Sequence, residues 1–194
     1  DWERYAWVKA RVCTEHIFLD RIAFRRYKSE LENVISSFLF RPFADFQIVK
    51  SLREMSRKII SNNKNRRIRQ GFSFDLKRDF GGIRTVEFIV QYFQLLKGGY
   101  HRKLQTTSLL VALREIERNK LIEHQDCADL LNAYTFFRRL ENLIQYQEDR
   151  QTHIFTGDLP CIKSFLKILD FDTFEALKNH LERHVEKVKS IYEK

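Results

Sequence analysis

The 194 residues are enough to bury a real core and amount to about one domain, or two subdomains. Six Gly and two Pro leave few turns, and 17 Phe within 43% hydrophobic residues supply core material, so long amphipathic helices are expected. The net charge of +9 invites an anionic partner without choosing one, and no apolar run approaches the roughly eighteen residues of a membrane span, nor is there a secretory leader pattern. Cys13, Cys127 and Cys161 are odd in number and lack CxxC spacing, which excludes a disulfide framework or zinc site and fits a reducing cytoplasm.

The chain opens without Met inside a helical pattern, as expected for a piece of a larger protein. Trp2, Tyr5, Ala6, Val12 and Cys13 follow helical spacing and predict a first helix to about Arg25. Leu31, Val34, Ile35, Phe38 and Leu39 predict a second, ended or bent by Pro42. Residues 46–60 read as a third, with Ile48, Leu52, Met55 and Ile59 inward. Residues 62–71 read as a polar loop that carries Arg66, Arg67 and Arg69, a basic cluster able to contact an anion. Phe72 to Lys77 alternates like a short extended segment.

The centre of the pattern is Phe74–Gly99, which holds four of the six glycines as Gly81-Gly82 and Gly98-Gly99. Between the pairs, Ile83, Val86, Ile89, Val90, Phe93 and Leu96 form one apolar stripe. Arg84, Glu87, Gln91 and Gln94 recur on another face, so Phe93 is expected in the core and Gln94 on the polar side. Gly98-Gly99 after Lys97 is a stop signal, a glycine accepting the left-handed conformation beyond a cation-bearing last turn. Gly81-Gly82 before the helix start is a candidate anion site, because first-turn N–H groups are free there. Asp79 competes with that reading, since its carboxylate would cap the helix and repel phosphate.

Downstream, Thr106 or Thr107 would cap a helix through Asn119 with Leu109, Leu110, Leu113 and Ile116 inward. A long helix from His124 to about Gln151 keeps Leu130, Leu131, Tyr134, Phe137, Leu140, Ile144 and Gln147 in one stripe and calls for an antiparallel neighbour. Residues 156–160, TGDLP, break the pattern. Two terminal helices follow, Ile162–Leu169 and Thr173–Tyr192, the second capped by Thr173. His180 and His184 have the i, i+4 spacing of a two-histidine metal site, but HLERH is not HExxH, no third ligand is placed, and exposed helix histidines are expected. Asp170 and Asp172 mimic an Asp-x-Asp pair without a preceding Gly-Ser and read as a helix stop and start.

The motif DLK-x3-GGIR-x-VEFIVQ-x-FQLL-x-GG resembles that of the bifunctional glutamine synthetase adenylyltransferase/adenylyl-removing enzymes. Residues 1–11, Arg41-Pro-Phe43, residues 51–55 (SLREM), Ser108-Leu-Leu110, residues 137–142 (FRRLEN) and Gln151-Thr-His153 fall in the same order as in that family, and the pattern is similar to the N-terminal, adenylyl-removing half. The long, glycine-poor amphipathic segments predict an all-α bundle of about six to eight helices, elongated because several are long, and the resemblance implies a helical domain over 1–155 behind a nucleotidyltransferase palm, with a C-terminal helical extension over 156–194. It implies a cytoplasmic parent enzyme that uses magnesium with ATP, ADP and phosphate, acts on glutamine synthetase, and answers to the PII signalling protein. The palm's Gly-Ser and Asp-x-Asp would lie outside this chain. No catalytic or metal-ligating residue is therefore nominated, none of these cofactors is expected to bind the chain tightly, and the chain alone is expected to be inactive. Arg84, Glu87 and Gln91 are the candidates to face the palm or stand behind its site. Gly81, Gly82, Arg66, Arg67 and Arg69 are the candidates to contact an anion. Two rival readings are a module that only binds glutamine synthetase or PII, and a basic helical nucleic-acid binder; the second lacks a recognition helix or aromatic–basic interleaving, and nucleic acid is not expected.

Overall fold

The computed structural model describes residues 6–10, 20–41, 50–51, 54, 71–148 and 152–194. These residues form six α-helices, one 3₁₀ turn and a two-stranded sheet, an all-α fold in the main. In chain order they are α1 (Arg21–Leu39), β1 (Ser73–Asp75), α2 (Ile83–Lys97), a 3₁₀ turn (Arg102–Leu104), α3 (Leu109–Arg118), α4 (His124–Glu148), β2 (Ile154–Thr156), α5 (Ile162–Leu169) and α6 (Phe174–Glu193). The chain divides into two compact units. One comprises residues 1–56 and 90–121, the other 57–89 and 122–194, so α2 lends its second half to the first unit and its first half to the second.

In the first unit, residues 1–5 and 11–19 of the expected first helix lie outside the described residues, and α1 runs unbroken from the end of that helix through the expected second. Asp20 is its cap, with Oδ1 accepting from the N–H groups of Ile22 and Ala23, and the helix continues through the expected break near Arg25. Phe24 and Leu39 are buried, whereas Leu31 and Val34, expected inward, are exposed. The expected third helix and the 62–70 loop lie outside the described residues, apart from residues 50–51 and 54, which are helical. α3 is capped by Ser108, not by Thr106 or Thr107; the Thr106 hydroxyl instead accepts from the Ser108 N–H. Its buried face is Ala112, Leu113, Glu115 and Ile116, and Leu110 points out.

The second half of α2 corrects the expected helix rotation. Gln94 is 2% exposed, and its amide donates to the carbonyls of Leu104 and Thr106, both at 2.7 Å. Phe93 is only half-buried. The reason is tertiary: the segment after the 3₁₀ turn offers the Thr106 carbonyl, which has no described backbone donor, and Gln94 supplies one to it and a second to the Leu104 carbonyl. Gln105 bridges in the same unit, its Oε1 accepting from Ser36 Oγ and its Nε2 donating to the Gly98 carbonyl, each at 2.8 Å. The stop after Lys97 is where it was expected, but neither Gly98 nor Gly99 has a positive φ. A Cβ on Gly98 would stand 2.5 Å from the Phe40 ring, so close packing is what a side chain there would break.

In the second unit, α4 and α6 run antiparallel. Leu130, Ala133, Phe137, Leu140 and Ile144 of α4 and Leu177, Leu181, Val185 and Val188 of α6 are all buried. Lys194 pairs with Asp126 at 2.6 Å and Lys187 with Asp129 at 2.6 Å along the same contact. The terminal helices match expectation: Thr173 caps α6 by accepting from Ala176 N–H, and Asp170 ends α5 in the left-handed conformation. β1 and β2 pair antiparallel in the register Ser73↔Thr156, Phe74↔Phe155, Asp75↔Ile154. Phe155 is fully buried, with Phe72 and Phe174 packed against it at 6.1 and 5.7 Å.

Candidate functional site

The polar groups of the second unit gather where the first half of α2, the middle of α4 and the residue before β2 meet. Glu141 is the buried centre, 2% exposed on a helix otherwise lined with Leu and Phe at that depth. A carboxylate there requires cationic or hydrogen-bonding partners. Arg138, one turn earlier on α4, reaches Glu141 Oε2 at 2.6 Å. His153 Nδ1 lies 2.9 Å from Glu141 Oε1, and the Gln145 amide is 3.1 Å from the same ring nitrogen. His153 is held from behind, because its carbonyl accepts from Leu76 N–H at 2.8 Å and so extends the β1–β2 ladder. The small sheet thus serves to deliver one imidazole to one buried carboxylate.

Tyr134 continues the seam one turn toward the start of α4, with the Arg138 guanidinium carbon 5.8 Å from the centre of its ring. Burial raises the Tyr134 pKa; Arg138 opposes that shift, while Glu87 and Glu141 add to it. Glu87 therefore belongs to the same electrostatic neighbourhood as Tyr134, and both residues are half-buried. Arg84, one turn before Glu87, is also half-buried and has no ion-pair partner among the described residues. Gln91 is not part of this seam. It is 2% exposed, lies in the other unit, and its Oε1 is buried without a hydrogen-bond partner among the described residues. The row of three expected from α2 is thus two half-buried charges and one buried amide.

At the start of α2, Gly81 and Gly82 are both buried. Gly81 takes φ +91°, and a Cβ on it would meet Val185 Cγ1 at 2.7 Å; one on Gly82 would collide with the Leu76 carbonyl. The N–H groups nearby have internal acceptors: Gly81 donates to Thr85 Oγ1, Gly82 to the Asp79 carbonyl, Ile83 to the Leu76 carbonyl and Arg84 to the Lys77 carbonyl. Asp79 does not cap the helix with its carboxylate, which accepts instead from Asp75 N–H at 2.7 Å. The Asp75 carboxylate accepts from the N–H groups of Lys77 and Arg78 and shapes the turn. Arg66, Arg67 and Arg69 lie outside the described residues. No three His, Cys, Asp or Glu side chains group as metal ligands do among the described residues, and no described helix is long and apolar enough to cross a membrane.

A family model described as GlnD PII-uridylyltransferase matches residues 53–194. The chain belongs to that family. Membership places it among nucleotidyltransferase-type enzymes and covers every member of the seam, Glu87, Tyr134, Arg138, Glu141 and His153, while α1 lies outside the matched span. Of these only Glu87 is a candidate from sequence, although the segments FRRLEN and QTH carry Arg138, Glu141 and His153. One signal was available: Glu141 falls four residues after Phe137 and three before Ile144, a carboxylate on the inward stripe of a helix.

Proposed function

We propose that this chain is the helical domain of an enzyme that adenylylates and deadenylylates glutamine synthetase, and that it supports the deadenylylating nucleotidyltransferase site without activity of its own. The observation that carries the reading is the seam: Glu87 and Arg84 are half-buried charges on a helix whose neighbours, Tyr134, Arg138 and Glu141, are held in place from within. A fixed seam with two half-buried charges beside it suits contact with an adjacent domain that carries cationic metals and phosphates. Magnesium, ATP, ADP and phosphate would be bound by that domain, and glutamine synthetase and PII would be the protein partners. The parent enzyme would be cytoplasmic.

The test is made in the longer protein that includes the nucleotidyltransferase domain. Arg84→Ala and Glu87→Gln should slow phosphate-dependent release of AMP from adenylylated glutamine synthetase at least about tenfold, the equivalent of one charge-assisted contact of about 1.5 kcal/mol. The same changes should leave the melting temperature of the present chain nearly unchanged, because charges that are only half-buried contribute about 0–1 kcal/mol to folding. Unchanged rates would remove Arg84 and Glu87 from contact with the adjacent domain.

The family description favours a second reading, a parent enzyme that transfers UMP to PII. Radiolabelled UTP with PII, run beside the AMP-release assay, separates the two, since each parent would give one product and not the other. Retention of glutamine synthetase or PII by this chain alone would favour a pure docking module. A steeply salt-dependent affinity for RNA would favour the basic-cluster reading.

A further inference from the structure

His180 and His184 are not the exposed pair their spacing suggests. Both are half-buried, and their Nε2 atoms approach to 3.0 Å. Aromatic packing sets both rings: His184 stacks on Phe136 at 5.2 Å and 30°, and His180 meets Phe136 edge-on at 4.8 Å and Phe171 at 5.2 Å. The partners assign the tautomers. Arg183 Nη2 lies 3.4 Å from His180 Nδ1, and a guanidinium only donates, so His180 carries its proton on Nε2. That proton is shared with His184 Nε2, which leaves the His184 proton on Nδ1, a buried atom without a hydrogen-bond partner among the described residues. Both rings are kept neutral: burial lowers both pKa values, His184 to about 4, with Arg183 adding to the effect at His180 and with His180, Lys187 and Arg183 adding to it at His184, against Asp129.

We propose that His180 and His184 form a two-imidazole chelate for a borderline divalent transition ion of the Cu²⁺ or Ni²⁺ type, with water in the remaining positions. Two imidazole nitrogens bound at about 2.0–2.1 Å and at right angles to each other stand about 3 Å apart, the separation already present. A tetrahedral ion would need the pair spread to about 3.3 Å. Binding transfers the His180 proton from Nε2 to Nδ1 and releases none. Arg183, which is exposed, swings away from the new N–H. Its charge and that of Lys187 oppose a bound dication and hold the affinity below what a site with a third, anionic ligand would reach.

The experiment is a titration of the protein with CuCl₂ in a weakly coordinating buffer, read by calorimetry and by the nitrogen hyperfine pattern of bound Cu²⁺ in electron paramagnetic resonance. One equivalent with two equatorial nitrogens is expected. His180→Gln should weaken binding at least about tenfold and reduce the pattern to one nitrogen, with the helix content checked by circular dichroism. Wild-type affinity in His180→Gln overturns the proposal, since the ion would then sit on other histidines. No bound ion at submillimolar free Cu²⁺, or a wild-type pattern without two nitrogens, overturns it without any variant.

Discussion

Replacing Gln94 by Ala removes two amide donations, to the carbonyls of Leu104 and Thr106. The Leu104 carbonyl keeps a second donor, the Thr106 N–H at 2.9 Å, so its loss is limited to the net value of one neutral hydrogen bond, about 0.5–1.5 kcal/mol. No other donor to the Thr106 carbonyl is described, and leaving a part-buried acceptor unmet costs about 1–2 kcal/mol. The sum, about 1.5–3.5 kcal/mol, is a large share of the 5–15 kcal/mol or so that holds a typical domain. Gln94→Met keeps the length and volume without the donors and should lose nearly as much, which separates hydrogen bonding from cavity formation. Urea unfolding followed by far-UV circular dichroism measures both. Phe93→Ala, at a half-buried position, should fall below the roughly 3–5 kcal/mol of a fully buried aromatic. A Gln94→Ala loss below about 0.5 kcal/mol would refute the buried amide and restore the rotation that periodicity alone suggests.

Glu141→Gln keeps the shape but loses the charge facing Arg138 and His153, and should cost about 1–3 kcal/mol in chemical denaturation; an unchanged midpoint would remove the seam's centre as a brace. Gly82→Ala and Gly81→Ala should each destabilise by at least about 1–3 kcal/mol, the first by collision with the Leu76 carbonyl and the second by strain at positive φ, and melting temperatures near the parent's would contradict the close packing at that turn. Stability should fall as pH drops from about 6.5 toward 4: the folded chain holds His184 below its ordinary pKa, so the unfolded chain binds the proton first across that window. The His184→Gln variant should show a flatter melting-temperature profile over the same range, and an equal slope in both proteins would assign the loss to other groups.

Local chemistry was legible in the sequence, and long-range chemistry was not. Ile83–Lys97 begins and ends at its glycine pairs, Ile162–Leu169 has its expected bounds, and Thr173 caps α6, because turn geometry and caps are decided within a few residues. Asp20 is local too, but its signal was hidden by apolar spacing that ran past it on both sides. Periodicity shows that a helix has an apolar face, not which of its polar residues another segment will cover. Gln94 is buried because residues 104–106 need donors, and His180 and His184 sit among aromatic rings because Phe136 and Phe171 fold against them. The seam depends on the same kind of meeting. Only the pairing of residues 73–75 with 154–156 brings His153 to Glu141, and only the packing of the second unit sets Glu87 beside Tyr134, contacts between residues far apart in the chain that no window of neighbouring residues encodes.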